Sequence, residues 1–161
     1  MKLWILRHAR AETQSAGGRD FDRALSREGE IACARLKSRL EGARETAPGI
    51  VLVSPALRTR QTADHALPAW PDTRRVVHDA LWEATLSDLL NAIATAMAEP
   101  TSQSLMLVGH NPGLELLVQW LGGELPVTGL KPGSLVVLDL PDGAKRDSAK
   151  TLQFWPAIES R

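Results

Sequence analysis

The chain has 161 residues, 19 Lys and Arg against 19 Asp and Glu, with 43% apolar and 24% charged side chains. That is enough chain for one core of ordinary size, and residues 1–161 read as a single domain of soluble globular composition. The cancelled charge argues against nucleic acid or an anionic membrane as partner, so an anion site must come from a local cluster of Arg or His.

Cys33 is the single cysteine and cannot form an internal disulfide, which points to a reducing compartment. Met1 to Leu6 is too short for the apolar region of a signal peptide, and Arg7 follows at once. No apolar run approaches the roughly 18 residues that span a bilayer. These features predict a cytoplasmic protein.

In chain order, Lys2–Leu6 is a short apolar strand ending at Arg7-His8. After a surface connection over Ser15–Asp22, Ser26 is placed to cap a helix through about Leu40, with Ile31, Leu36 and Leu40 facing the core. A second connection covers residues 42–49. Ile50–Val53 is the next strand; Pro55 opens a helix to about Leu67 with Arg58 in its first turn. Arg74–His78 is a weaker strand. Leu86 to Met97 places Leu86, Leu89, Leu90, Ile93 and Met97 on one helical stripe. Ser104–Val108 is a strand leading into Gly109-His110. Asn111 followed by Pro112 reads as an N-cap and a first-turn proline, opening a helix that Gly122-Gly123 stops after Leu121. A third connection spans Leu125–Gly133. Ser134–Leu138 is a strand, and Thr151–Trp155 an edge strand.

The four main strands are continuous runs of Val, Ile and Leu rather than alternating ones, so both of their faces are buried. Strands alternating with helices then predict an α/β fold: a helix/sheet/helix sandwich around a mostly parallel sheet, with an antiparallel edge strand.

In such sheets ligands bind beyond the carboxyl ends of the strands. Three strands deliver Arg7, His8, Arg58 and His110 to that edge, and no Asp or Glu stands at those strand ends. Two histidines alone would suit a metal. Two guanidiniums beside them repel a divalent cation and pair bidentately with phosphate oxygens. The cluster therefore suits a dianion without metal or other cofactor, and the helix start at Asn111-Pro112 adds its dipole. A neutral imidazole is a nucleophile, and arginines offset the charge that a phosphoryl group presents to it. In this reading His8 attacks phosphorus, becomes phosphohistidine and is regenerated by water, with a backbone carbonyl holding its tautomer.

These residues resemble the motifs of the histidine phosphatase (phosphoglycerate-mutase-like) superfamily. Leu6-Arg7-His8-Ala9 resembles its Arg-His-Gly signature, and Ser54 to Ala63 its second motif. Val108-Gly109-His110-Asn111-Pro112-Gly113 resembles the third. Asp22-Arg23-Ala24-Leu25-Ser26-Arg27-Glu28-Gly29 is similar to the segment after the first loop. The resemblance implies that His8 is the nucleophile and that Arg7, Arg58 and His110 bind phosphate, His110 in its charged form. Asn111 and Arg23 are further candidates for substrate contact, though Arg23 equally suits a surface ion pair. The short chain is most similar to the SixA branch, associated with removing phosphate from phosphohistidine in signalling proteins. Ala9 departs from the family's Gly: a positive φ there would strain it, whereas a need only for close backbone approach would tolerate its methyl.

An alkoxide leaving group needs a proton, which the superfamily takes from a Glu after a later strand. Glu83 is the candidate, against the plain alternative of a solvated carboxylate at a helix start. Larger members of the superfamily carry an insertion over the site between this Glu and the third main strand, where this chain has only one helix, so the resemblance implies an open, shallow pocket that admits a phosphorylated side chain of another protein. A phosphoramidate also demands less of an acid. The substrate is thus a phosphorylated protein of histidine-phosphotransfer type or a small phosphorylated metabolite. The rival readings are a small-molecule phosphomonoesterase, a phosphate-binding module without turnover and, more distantly, a metal-dependent hydrolase.

Other polar residues read as structural. Cys33 and Arg39 match the Cys-x5-Arg spacing of cysteine phosphatases, but the residues between them are helical and contain no Gly, so Cys33 is a buried hydrophobe. His65 and His78 are structural or exposed, and Arg60 is solvated. Gln61 and Thr62 serve packing and hydrogen bonding. Trp82 is placed to line the pocket, while Trp4, Trp120 and Trp155 pack the core or an edge.

Overall fold

The computed structural model describes residues 1–43, 46–99 and 103–158. Residues 44 and 45 of the 42–49 connection and 159–161 at the end of the chain lie outside the described residues. Six strands form one sheet: β1 (Lys2–Arg7), β2 (Ile50–Val53), β3 (Arg74–Val77), β4 (Ser104–Gly109), β5 (Leu135–Asp139) and β6 (Lys150–Trp155). Their spatial order is β3-β2-β4-β1-β5-β6. The first four are mutually parallel, while β5 pairs antiparallel with both β1 and β6. The expected antiparallel edge is β6 on β5, and the strand that reverses direction is β5, one place inside that edge.

The helices are α1 (Arg27–Ala43), α2 (Leu57–Ala66), α3 (Leu86–Met97) and α4 (Gly113–Leu121). The continuous apolar runs divide strictly between the two faces, as the two-residue period of a strand requires. Leu3, Ile5, Ile50, Leu52, Leu105 and Leu107 pack with Leu89 and Ile93 of α3 and Leu114 and Leu117 of α4. Trp4, Leu6, Val51, Val53, Met106 and Val108 pack with Cys33 and Leu36 of α1 and Ala63 and Ala66 of α2. This is the three-layer α/β sandwich that the pattern predicts.

Local chemistry sets the helix starts. Ser26 caps α1, its Oγ accepting from the Gly29 N–H at 3.2 Å. Ser26 N–H also donates to the Arg10 carbonyl at 3.0 Å, which draws α1 against the segment after β1. A Cβ at Gly29 would overlap that carbonyl oxygen, so glycine is needed there for close approach. Thr85 and Asp88 form a capping box at α3. The expected cap of α4 is corrected. Asn111 donates its side-chain amide to the Leu130 carbonyl at 3.1 Å instead. Pro112 stands at the N-cap with no side-chain bond, and the helix begins at Gly113.

The chain leaves β1 toward β2 through α1 and leaves β4 toward β5 through α4. These helices cover opposite faces, so β1 and β4 part at their carboxyl ends. Such a switch point opens a crevice. Strand-like pairing continues just past these ends, with His8 N–H on Gly109 O at 3.1 Å and Ser54 N–H on Val108 O at 3.0 Å.

Candidate active site

The crevice gathers Arg7 and His8 from β1, Arg58 from the first turn of α2 and His110 from the end of β4. The rings of His8 and His110 lie 5.2 Å apart, and Arg58 Nε stands 3.4 Å from His8 Nε2. Of the expected cradle, His8, Arg58 and His110 are therefore neighbours, and Arg7 is near enough for its charge to act on both histidines.

His8 is oriented from behind. Its Nδ1 lies 2.8 Å from the Ala9 carbonyl oxygen. A carbonyl only accepts, so Nδ1 carries the proton and Nε2 holds a lone pair. Burial pushes the ring's pKa down to about 4; the Ala9 bond opposes this, and the charges of Arg58, Arg7 and Arg23 add to it. The ring is neutral near pH 7 and presents Nε2 to the cradle.

Ala9 itself is fully buried, and among the described residues only Glu83 and Asp147 are non-glycine residues with positive φ. Ala9 is not in the left-handed region, and its methyl joins the core on the α1–α2 face. Its N–H donates to Thr62 Oγ1 at 3.0 Å, and that hydroxyl donates onward to Arg58 O at 2.7 Å. Gln61 Oε1 accepts from Leu25 N–H at 2.8 Å. Thr62 and Gln61 thus tie α2 to the segments around His8.

Arg7 donates from Nη1 to the Leu130 carbonyl at 2.8 Å, while its buried Nε has no partner among the described residues. Burial lowers the pKa of Arg7, and Glu115 opposes the shift. Arg58 is 5% exposed; burial lowers its pKa too, opposed mainly by the hydrogen bond and charge of Asp20. Both remain cations, since a guanidinium does not deprotonate in proteins.

His110 departs from expectation. Its Nε2 lies 2.7 Å from Ser54 Oγ and its buried Nδ1 has no partner. Burial first, then His8 and Arg58, hold its pKa down at about 3 against a small opposing pull from Asp20. By itself the protein holds His110 neutral rather than charged; a bound dianion would raise its pKa.

Glu83 lies in the turn before α3 rather than at a helix start, since Thr85 caps that helix. Its side chain is exposed at the rim of the site, and its φ is +50. A non-glycine residue held in this region costs about 1 kcal/mol or more, and such strain clusters at functional sites. Arg23, 26% exposed, is an ion-pair residue: Nε donates to Asp20 Oδ1 at 2.7 Å and Nη1 to the Glu12 carbonyl. It remains near enough to His8 to lower its pKa.

Sequence reasoning missed Asp20 and Phe21. Asp20 accepts from Arg58 twice, at its carbonyl (2.7 Å) and at Oδ2 (3.0 Å), besides Arg23 at Oδ1. The site therefore does contain a carboxylate, brought by a loop rather than by a strand end. Phe21 meets Trp82 edge-to-face at 5.1 Å; Trp82 also meets His110 at 5.2 Å and lies under Arg58 at 5.4 Å.

Beside the cradle lies a cavity of about 360 Å³ with Asp20, Arg58, Trp82, Glu83 and His110 around it. Its lining also includes Leu81, Leu89, Leu107 and Leu114, all at most 2% exposed. Asn111 lines it too, with a buried, unpartnered Oδ1.

The plain readings elsewhere hold. Burial pushes the Cys33 thiol up to about 12, and Arg39 bonds the Pro156 carbonyl and stacks on Trp155. His65 and Arg60 are exposed. Among the described residues no three His, Cys, Asp or Glu converge as a metal site would require, and no helix is long and apolar enough to cross a membrane.

The model of the histidine phosphatase superfamily (branch 1) matches residues 3–92. A solved structure of the assigned phosphohistidine phosphatase SixA of Agrobacterium tumefaciens is 31% identical, with a TM-score of 0.80 over 95% of this chain and 96% of that one. The protein histidine phosphatase SixA complexed with tungstate is 23% identical, with a TM-score of 0.79 over 98% and 97% of the two chains, and shows the same fold. An uncharacterised chloroplastic protein of Arabidopsis thaliana is 27% identical over 136 residues, 76% of this chain; the match spans 59% of that curated relative's length.

Proposed function

Because the chain belongs to the histidine phosphatase superfamily, in its SixA-like branch, we propose that it hydrolyses phosphohistidine, or phosphomonoesters, through a covalent phosphohistidine on His8. One observation carries this reading. The Ala9 carbonyl fixes the proton on Nδ1, so Nε2 is an unprotonated nucleophile 3.4 Å from Arg58. Residues 1–161 act as one domain in this reading.

The phosphoryl group sits between Arg7, Arg58 and His110, whose N–H groups meet its oxygens. His8 Nε2 forms the new bond to phosphorus as the bond to the leaving group breaks. His8 keeps its Nδ1 proton on Ala9, which offsets the charge of the phosphorylated ring. Water then attacks phosphorus in line, and His8 departs as a neutral imidazole with the same tautomer. Positioning and charge stabilisation supply the catalysis, and no metal enters the scheme. Glu83 is the candidate proton donor when the leaving group is an alkoxide, and a histidine-phosphorylated protein is the candidate partner. The leucine-lined cavity favours, as a second reading, a small phosphomonoester with an apolar leaving group.

The test is a rapid quench with a radiolabelled phosphodonor. An acid-labile, base-stable label should form on wild-type protein and vanish in His8→Ala; a label that survives the substitution removes the mechanism. Vanadate should inhibit and chelator should not, whereas the reverse identifies a metal enzyme.

A further inference from the structure

Asp20 poses a problem for the reading above. Its carboxylate lies on Nη2 of Arg58, a donor that a phosphoryl oxygen also needs. Partial burial pushes the Asp20 carboxyl up, but the hydrogen bonds and charges of Arg23 and Arg58 outweigh this and leave it below its ordinary range. It is thus anionic at neutral pH. A phosphoryl dianion that takes Nη2 leaves Asp20 on Arg23 alone, facing another anion. Such an arrangement penalises every phosphorylated ligand alike, unless the ligand brings a donor for Asp20.

The surroundings state what that donor must be. Asp20 lines the cavity beside the cradle, together with Arg58 and His110, whereas His8 does not. In the proposed mechanism the leaving group departs in line, away from His8, and this cavity, which shares Arg58 and His110 with the cradle, is the space available to it. Trp82 is a wall there, held edge-to-face by Phe21 behind the lining, with the buried leucines beyond. The indole of Trp82 suits a flat ring. A carboxylate at its rim suits an N–H and repels a second anion.

Resting on the reading that His8 carries phosphate, we propose that Asp20 is a specificity-determining residue: its carboxylate accepts the distal N–H of a phosphorylated imidazole and disfavours leaving groups that are anionic or lack a donor. The step balances without an external acid. The Nε2 lone pair of His8 bonds to phosphorus, and the P–N bond to the substrate ring breaks with its electron pair kept by that nitrogen. The substrate's other nitrogen holds its proton on Asp20 throughout, so the ring departs as neutral imidazole. The two imidazoles are then treated alike: Ala9 O holds the N–H of one and Asp20 that of the other. An alkyl or aryl phosphate gains nothing from Asp20 and still meets its charge, which is specificity by penalising the alternatives.

The experiment compares wild-type protein with Asp20→Asn and Asp20→Ala on free phosphohistidine and on p-nitrophenyl phosphate, with vanadate affinity measured alongside. Asp20 is on an exposed turn, and thermal melts check that the variants fold. Losing one charge-assisted hydrogen bond should lower kcat/KM for phosphohistidine by about tenfold or more. For p-nitrophenyl phosphate kcat/KM should rise, and vanadate should bind more tightly. A fall on both substrates overturns the proposal, because Asp20 then merely positions Arg58 and Arg23. A rise on both also overturns it, because Asp20 is then only an internal competitor for the cradle. The His8 label separates this from the parent reading: with the label intact and the two substrates moving together, the Asp20 assignment alone falls; with no label on wild-type protein, the parent reading falls.

Discussion

The depressed pKa values of His8 and His110 make a stability measurement diagnostic of the state of the proposed nucleophile. An unfolded histidine titrates near 6.5, whereas folded His8 takes a proton only near 4. Between those values the unfolded chain binds a proton that the native protein refuses. At pH 7 both states are neutral and His8 contributes almost nothing through this route. As pH falls through 6.5 the unfolded state is favoured by about 1.4 kcal/mol per pH unit, until the folded ring titrates near 4. From pH 7 to pH 5 this removes about 2 kcal/mol of stability. His110, held near 3, removes a similar amount over the same interval. The assay is urea unfolding at pH 7, 6 and 5, above the main range of carboxylate titration. His8→Asn cannot titrate, so its stability should fall by about 2 kcal/mol less than that of wild-type protein over this interval. Parallel losses would refute the argument, because they would mean that folded His8 is free to protonate at ordinary pH and is not held as a neutral nucleophile.

Three further substitutions follow from the geometry. Gly29→Ala ordinarily stabilises a helix, but its methyl would meet the Arg10 carbonyl, so denaturant unfolding should show a loss of about 1–3 kcal/mol. Thr62→Val leaves the buried Ala9 N–H without its acceptor; it should cost about 1–3 kcal/mol and lower turnover through displaced His8, both read on the same preparation. Glu83→Gly relieves a φ of +50 and should raise stability by about 1 kcal/mol, while turnover of alkyl phosphates falls about a hundredfold if Glu83 donates the proton.

Much of the fold was legible because the strands are buried on both faces. Continuous runs such as Ile50–Val53 and Ser104–Val108 announce themselves, and the 3.6-residue stripe of Leu86–Met97 matches α3 end for end. The faces were not legible. Nothing local distinguishes Leu3 and Ile5 from Trp4 and Leu6, which cover opposite sides of the sheet only once β1 has inserted between β4 and β5. The conformation at Ala9 was equally hidden. Whether a methyl fits depends on φ and on the space around it, and both are set by distant partners such as Thr62.

The same distinction separates the parts of the site. Arg7, His8 and His110 were readable because a strand end fixes where its next residue points, and Arg58 because a first helical turn does so nearly as well. Asp20 was not, because its loop is returned to the crevice by non-local pairing. Ala11 bridges Leu25, and Glu12 N–H bonds the Ala24 carbonyl. Yet its presence answers a question that the strand ends pose by themselves. Buried cations need partners even when no substrate is present. Arg7 finds the Leu130 carbonyl, and Arg58 finds Asp20. The cost of bringing these charges together is therefore met during folding by groups of the protein itself, so the donors stand oriented before a phosphoryl group arrives, as preorganised catalysis requires. In the proposed reaction the partner that a substrate must replace is part of what the site selects, so a loop residue with no sequence signature bears on the choice of leaving group as directly as His8 bears on the attack.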